Sequence, residues 1–274
     1  MEFPSPVLDA VKDLLCAAKE RAKVLRADAD DASRVQRVYE ELVRHISHGW
    51  PLHVLSLLEK EAPLLKGMWA QNHSAIPVLE EAIRVAKEKA DVIQRRYPGY
   101  LEDACRATNL PLDTDSRHPC YSFERKFIQL NIDDQRRTAR LSDHEGRLAE
   151  FPADVGAVIE AIQREHTRLF GRPFDGKKFL KQLRSQYLAI AKKEKQPDGA
   201  SIPIRHITRR LGKNTKGFRS DEFLMDLSRL AEQGPMEIDG WRLDLQQTKD
   251  TDQGMLLYGA GGRGYIGFVV FRKV

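Results

Sequence analysis

Residues 177–219 read KKFLKQLRSQYLAIAKKEKQPDGASIPIRHITRRLGKNTKGFR, and this stretch decides both the fold and the charge of the chain. It holds 13 Lys/Arg against two Asp/Glu, a net of +11, whereas the whole 274-residue chain nets only +5. Residues 1–110 net −1, residues 111–176 net −2 and residues 220–274 net −3. A field confined to one sixth of the chain attracts polyanions over about a Debye length, ~8 Å at physiological salt. Within the stretch, Phe179, Leu180, Leu183, Tyr187, Leu188 and Ile190 line one side of a helix predicted over Lys177–Lys195. Gln196-Pro197-Asp198-Gly199 is a turn, Ile204–Leu211 a short helix, and Gly212–Gly217 a loop.

Outward to the C-terminus, Ser220–Gln233 is predicted helical, with Phe223, Leu224, Leu227, Leu230 and Ala231 as its apolar face, and Gly234-Pro235 ends it. Three β-like runs follow: Trp241–Gln246, Met255–Tyr258 and Tyr265–Phe271. Long helix, short helix, loop, helix and hairpin in that order resemble a winged-helix module over residues 177–274. The likeness is to a fold pattern and to no particular family. It implies a third helix in the major groove and a wing near phosphates. Here the third helix carries Asp221, Glu222, Asp226 and Glu232 against Arg229 alone, so an anionic backbone would repel it. The edge expected to face phosphates is therefore the basic one: Lys181, Arg184, Lys192, Lys193, Arg205, His206, Arg209, Arg210, Lys213, Lys216 and Arg219, with Arg263 at the hairpin tip. Such cations supply affinity without sequence information.

Outward to the N-terminus, apolar residues at three- and four-residue spacings predict helices over Pro6–Arg26, from Ser33 to Ile46, over Leu52–Trp69 with a bend or split at Pro63, and from Val78 to about Arg96. Asp28, Asp30 and Asp31 are expected to break the first from the second, with Ser33 as a cap. Tyr97-Pro98-Gly99 is expected to stop the fourth before a short helix over Tyr100–Thr108. Asn109–Tyr121 reads as a linker, and Phe123–Ile132, Thr138–Leu141 and Leu148–Phe151 as a hairpin or three-strand meander. A helix beginning at Pro152 follows, with Val155, Val158, Ile159, Ile162, His166, Leu169 and Phe170 as its face, closed by Gly171. The expected organisation is mainly α with small β elements: a helical bundle over 1–108, a linker with meander and helix over 109–176, and a winged-helix-like basic module over 177–274.

Several constellations bear on chemistry. Gly259-Ala-Gly261-Gly-Arg-Gly264 matches G-x-G-x-x-G, but that fingerprint needs a helix after it, and only ten residues follow. A hairpin tip is expected instead. Glu237-Ile-Asp239 with Gln247-Thr-Lys249 loosely resembles the carboxylates and lysine of metal-dependent nucleases. Cys105, His118 and Cys120 lack the short paired spacing of structural zinc. His45, His48 and His53 surround Gly49-Trp50-Pro51, where a helix end favours positive charge. No cofactor or metal is expected.

Three scattered cysteines, no run of ~20 apolar residues and no signal-peptide pattern point to a reducing, cytoplasmic setting away from membranes. The expected function is a non-catalytic adaptor subunit of a larger assembly. It would bind nucleic acid, DNA foremost, through the basic segment, and protein partners through the N-terminal helices. The alternatives are a protein–protein scaffold whose basic face docks an acidic partner, and a divergent Mg-dependent nuclease.

Overall fold

From Val7 to His48 no glycine or proline interrupts the chain, and that run folds as a single helix, α1 (Ser5–Ser47), of 43 residues. The break expected at Asp28–Asp31 is absent. These aspartates are exposed, where each costs a helix up to about 0.7 kcal/mol relative to alanine. Ala27, Ala29 and Ala32 offset them. The Ser33 hydroxyl caps nothing; it donates to the Ala29 carbonyl at 2.9 Å, one turn back. The structure is a computed structural model that describes residues 5–259 and 265–274, with side chains described from residue 14.

Proline sets the next boundaries. α2 (Pro51–Lys60) and α3 (Ala62–Ala70) are separated at Glu61, with Pro63 in the first turn of α3, where its missing N–H is not needed. α4 (Ile76–Arg95) follows. Val38 and Leu42 of α1 pack with Val54, Leu57, Leu58, Leu65, Met68, Leu79 and Ala86 into one apolar cluster. The Arg34 guanidinium donates to the Glu61 carboxylate at 2.8 Å and fastens α1 to the α2–α3 junction.

The same logic moves the start of α5. Tyr97-Pro98-Gly99 begins that helix (Tyr97–Ala107) rather than ending its predecessor, with Pro98 in the first turn. Tyr97, Leu101 and Cys105 are buried. β1 (Cys120–Phe123), β2 (Ile128–Asp133), β3 (Thr138–Asp143) and β4 (Gly146–Pro152) form an antiparallel meander in the order β1-β2-β3-β4. It has one strand more than expected, because the end of the expected linker, Cys120 and Tyr121, joins Ser122 and Phe123 as a strand of its own. Glu124, Arg125 and Lys126 between β1 and β2 all have positive φ, 52°, 53° and 69°. The Asp113 carboxylate holds this left-handed turn by accepting the Arg125 and Lys126 N–H groups at 2.9 and 2.7 Å.

α6 (Val155–Phe170), α7 (Gly176–Lys193), β5 (Ile202–Pro203), α8 (Ile204–Asn214), α9 (Ser220–Gln233), β6 (Glu237–Ile238), β7 (Trp241–Thr248) and β8 (Tyr265–Lys273) complete the chain. The second sheet is antiparallel in the order β5-β8-β7-β6. Leu180, Leu183 and Tyr187 of α7, Ile204 and Ile207 of α8, Leu224 and Leu227 of α9, and Val269 and Phe271 of β8 are buried. Asp175 caps α7 by accepting the Lys178 N–H. At Gly176 a Cβ would lie 2.6 Å from the Gly234 carbonyl oxygen, so only glycine lets the start of α7 meet the end of α9. The expected strand Met255–Tyr258 reduces to a single bridge, Met255 to Ile266.

The protein is mixed α and β, and among the described residues no helix is long and apolar enough to cross a membrane. It divides into two compact units, one ending at Val92 and one over Ile93–Val274. The boundary lies before residue 108, within α4. The second unit also takes in residues 109–176, and side chains show why. Arg229 of α9 donates to the Leu169, Phe170 and Arg172 carbonyls and so caps α6. Arg168 of α6 binds Glu222 at 2.8 Å and also Asp221.

Candidate nucleic-acid interface

In α8, Ile204, Ile207, Thr208 and Leu211 face inward. Helical period then leaves Arg209 and Lys213 on the outer face, with His206 and Arg210 beside them. The last turn of α7 carries Lys192 and Lys193, where cations suit the negative end of a helix. Between the two lies a groove of about 340 Å³ lined by Ile190, Lys193, Glu194, His206, Arg209, Arg210, Lys213 and Asn214. Five residues expected at the interface therefore share one concavity. Lys192 and Lys216 are exposed nearby in sequence, and Lys181 lies three turns before Lys192, on the same face of α7 and roughly 16 Å away.

Pairing separates these cations into two groups. Among the described residues, Lys181, Lys192, Lys193, Arg209, Lys213 and Lys216 make no ion pair with a protein carboxylate. Arg210 donates to the Gln186 side chain at 2.9 Å, which orients it without neutralising it. His206 Nδ1 lies 3.0 Å from the Glu194 carboxylate, the one acid in the groove lining.

Three others are paired with the protein's own carboxylates. Arg184 is 8% exposed, grips both oxygens of Asp198, and lies over the Trp241 ring at 4.4 Å and the Phe271 ring at 4.8 Å. It ties α7 to the following turn and to the second sheet, which a charge count does not disclose. Arg205 pairs with Glu145 at the β3–β4 turn and donates to the Gly254 carbonyl at 2.7 Å. Arg219 pairs with Asp221 at 3.1 Å. Arg263 lies outside the described residues.

α9 is not presented to a ligand. No residue from Asp221 to Ala231 is exposed, and its acids are spent on α6: Asp221 and Glu222 on Arg168, Asp226 on Arg172 at 2.7 Å. Burial works against ionisation of Asp221, but hydrogen bonds from Arg168 and Arg219 prevail and hold its carboxyl below the ordinary value. Its neighbour Asp143, at the end of β3, is pushed up to about 6 by burial, against the lowering effect of the Glu145 N–H and with the Asp221 charge adding.

The remaining constellations resolve as structure. The segment from Gly259 is followed by β8, antiparallel to β7, where a dinucleotide site needs a helix. Asp239 turns the β6–β7 hairpin, while Gln247 and Lys249 lie at the far end of β7, roughly 24 Å along at ~3.4 Å per residue. They cannot share a metal. His118 bonds Asp134 at 2.7 Å, and Cys105 is buried while Cys120 is exposed. His45, His48 and His53 ring Trp50, with centroids 5.9, 4.7 and 5.1 Å from it, and His48 Nδ1 meets the Arg44 carbonyl at the end of α1. Comparison with protein-family models, with curated proteins and with solved structures found no match for this chain.

Proposed function

We propose that the protein is a non-catalytic nucleic-acid-binding adaptor, with duplex DNA the first polymer to test, and that it grips phosphates along the α7–α8 edge. The observation that carries this reading is the grouping of Lys193, Arg209 and Lys213 around one groove without a neutralising carboxylate of their own. Cations left to solvent pair with phosphates and release counterions on doing so. Lys192, Lys216 and Lys181 extend the same positive edge, whereas Arg184, Arg205 and Arg219 hold the module together.

A winged-helix arrangement of α7, β5, α8, α9, β7 and β8 fits the chain order and the strand order β5-β8-β7. In this reading α9, enclosed on its length, is the central helix of the core, and phosphate contact passes to α8. Contacts of this kind position a protein without reading bases, so sequence preference is expected to be weak.

The test is a gel-shift panel of single- and double-stranded DNA and RNA with wild type and the Lys193→Glu/Arg209→Glu/Lys213→Glu variant. Wild type is expected to shift duplex DNA, and the variant to lose binding by at least about 100-fold while keeping its circular dichroism spectrum. Equal binding by the two proteins removes the reading.

A further inference from the structure

Every residue from Leu14 to Ser33 is exposed, and among the described side chains of α1 the first to be buried is Val38. Some 20 residues of helix, about 30 Å, thus stand without tertiary cover. An isolated helix of that length is marginal in water. Six of its apolar residues follow a register: Leu15, Ala18, Ala22, Leu25, Ala29 and Ala32 recur at spacings of three and four, while Leu14 and Val24 lie off it. In the sequence the register continues back through Val11 and Leu8. Alternating threes and fours make the seam of a coiled coil. Leu15 and Leu25 are 53% and 60% exposed, so the seam is uncovered.

The residues beside the seam say what covers it. Its six flanking positions hold Lys19, Arg21 and Arg26 against the single acid Asp28. A second copy of the chain fits badly. A parallel pair sets Arg21 against Arg26 of its mate, and an antiparallel pair centred on Leu15–Ala32 sets Lys19 against Arg26 twice, with Arg21 beside Asp28 as its attraction. Like charges at these positions select against a pairing. Both pairings also leave alanine against alanine on the seam, parallel at Ala18, Ala22, Ala29 and Ala32 and antiparallel at Ala18 with Ala29, which buries little apolar area. A bilayer fits no better, because Glu20, Asp30 and Asp31 stand on the opposite face.

We propose that residues 14–33 of α1 form one strand of a heteromeric coiled coil. The partner is an amphipathic helix of another protein that carries large aliphatic residues at its seam and Glu or Asp beside it. The alanines let the two axes approach closely, and leucine or isoleucine from the partner fills the space they leave. This surface is independent of the α7–α8 edge and does not rest on the nucleic-acid reading.

The test titrates the full chain with a fluorescent four-heptad peptide bearing Leu at both seam positions and Glu at both flanks, and with its Lys-flanked counterpart. The Glu peptide is expected to bind at least about tenfold more tightly than the Lys peptide. Ala22→Glu, at an exposed helical position, is expected to weaken that binding at least about tenfold. Lys19→Glu/Arg26→Glu is expected to invert the preference between peptides, an outcome that excludes capture of the Glu peptide by α8. The proposal is overturned if both peptides bind equally or if Ala22→Glu changes nothing. It is overturned equally if the seam instead drives self-association in sedimentation, or binding to phosphatidylserine vesicles, that Ala22→Glu abolishes.

Discussion

At Arg184 one guanidinium closes a fork on Asp198 and stacks over Trp241, Phe271 and Tyr187. Its side chain is 10% exposed, that of Asp198 33%. Removing one member of a buried pair costs 3–5 kcal/mol, and the half-open partner reduces this. Arg184→Ala is therefore expected to lower stability by about 2–3 kcal/mol in urea unfolding. Asp143 gives a second residue-scale prediction. Its Oδ1 accepts the Glu145 and Gly146 N–H groups, and its Oδ2 is buried without a hydrogen-bond partner. The folded carboxyl titrates near 6 against an ordinary 3.8. Across that window the folded state binds more protons than the unfolded state, so this group's contribution to stability falls as pH rises from 3.8 to about 6. Asp143→Asn keeps the acceptor and offers an N–H toward Asp221. Its stability relative to wild type is expected to rise by on the order of 1–2 kcal/mol between about pH 4 and about pH 7, as read by denaturant melts.

Among the elements, the β1–β2 turn is strained, since three successive non-glycine residues adopt a left-handed conformation. The Asp113 carboxylate pays that cost with two N–H contacts, and Asp113→Ala is expected to destabilise the protein by about 1–3 kcal/mol, read by the thermal midpoint. Nothing in Glu124-Arg125-Lys126 announces such a turn, which is why Phe123–Ile132 reads as one strand. The continuity of α1 was hidden for a related reason: Asp and Ser favour helix ends when free to choose, yet here alanines and solvent exposure let them sit mid-helix. Period and punctuation served better in the C-terminal half. The apolar spacing of α7, α8 and α9 and the Gly234-Pro235 stop place those helices within a few residues of where they lie. The edge of α8 was legible too, because Ile204, Ile207 and Leu211 fix its buried side and so its basic one.

For the whole molecule, net charge of a segment is a poor guide until internal pairing is known. The cations of residues 177–219 divide between those that meet Asp198, Glu145 and Asp221 and those that meet no carboxylate. One acid partner, Glu145, lies 60 residues from Arg205 in sequence, beyond any local reading of charge, whereas Asp198 and Asp221 lie 14 and two residues from theirs. Arg168 with Asp221 and Glu222, and Arg205 with Glu145, join α6 and the meander to the C-terminal module, and the division of the chain falls at Val92. Along the α7–α8 edge Lys192, Lys193, Arg209 and Lys213 keep no carboxylate after this pairing, and the proposal is that a phosphate backbone lies there. The most direct measurement is fluorescence anisotropy of a DNA duplex across a salt series, with wild type and with Lys192, Lys193, Arg209 and Lys213 reversed to Glu. About four to five phosphate contacts predict a log–log slope near −4 for wild type, and the reversed protein is expected to show no measurable binding. Binding by the reversed protein with the wild-type affinity and slope would contradict the account.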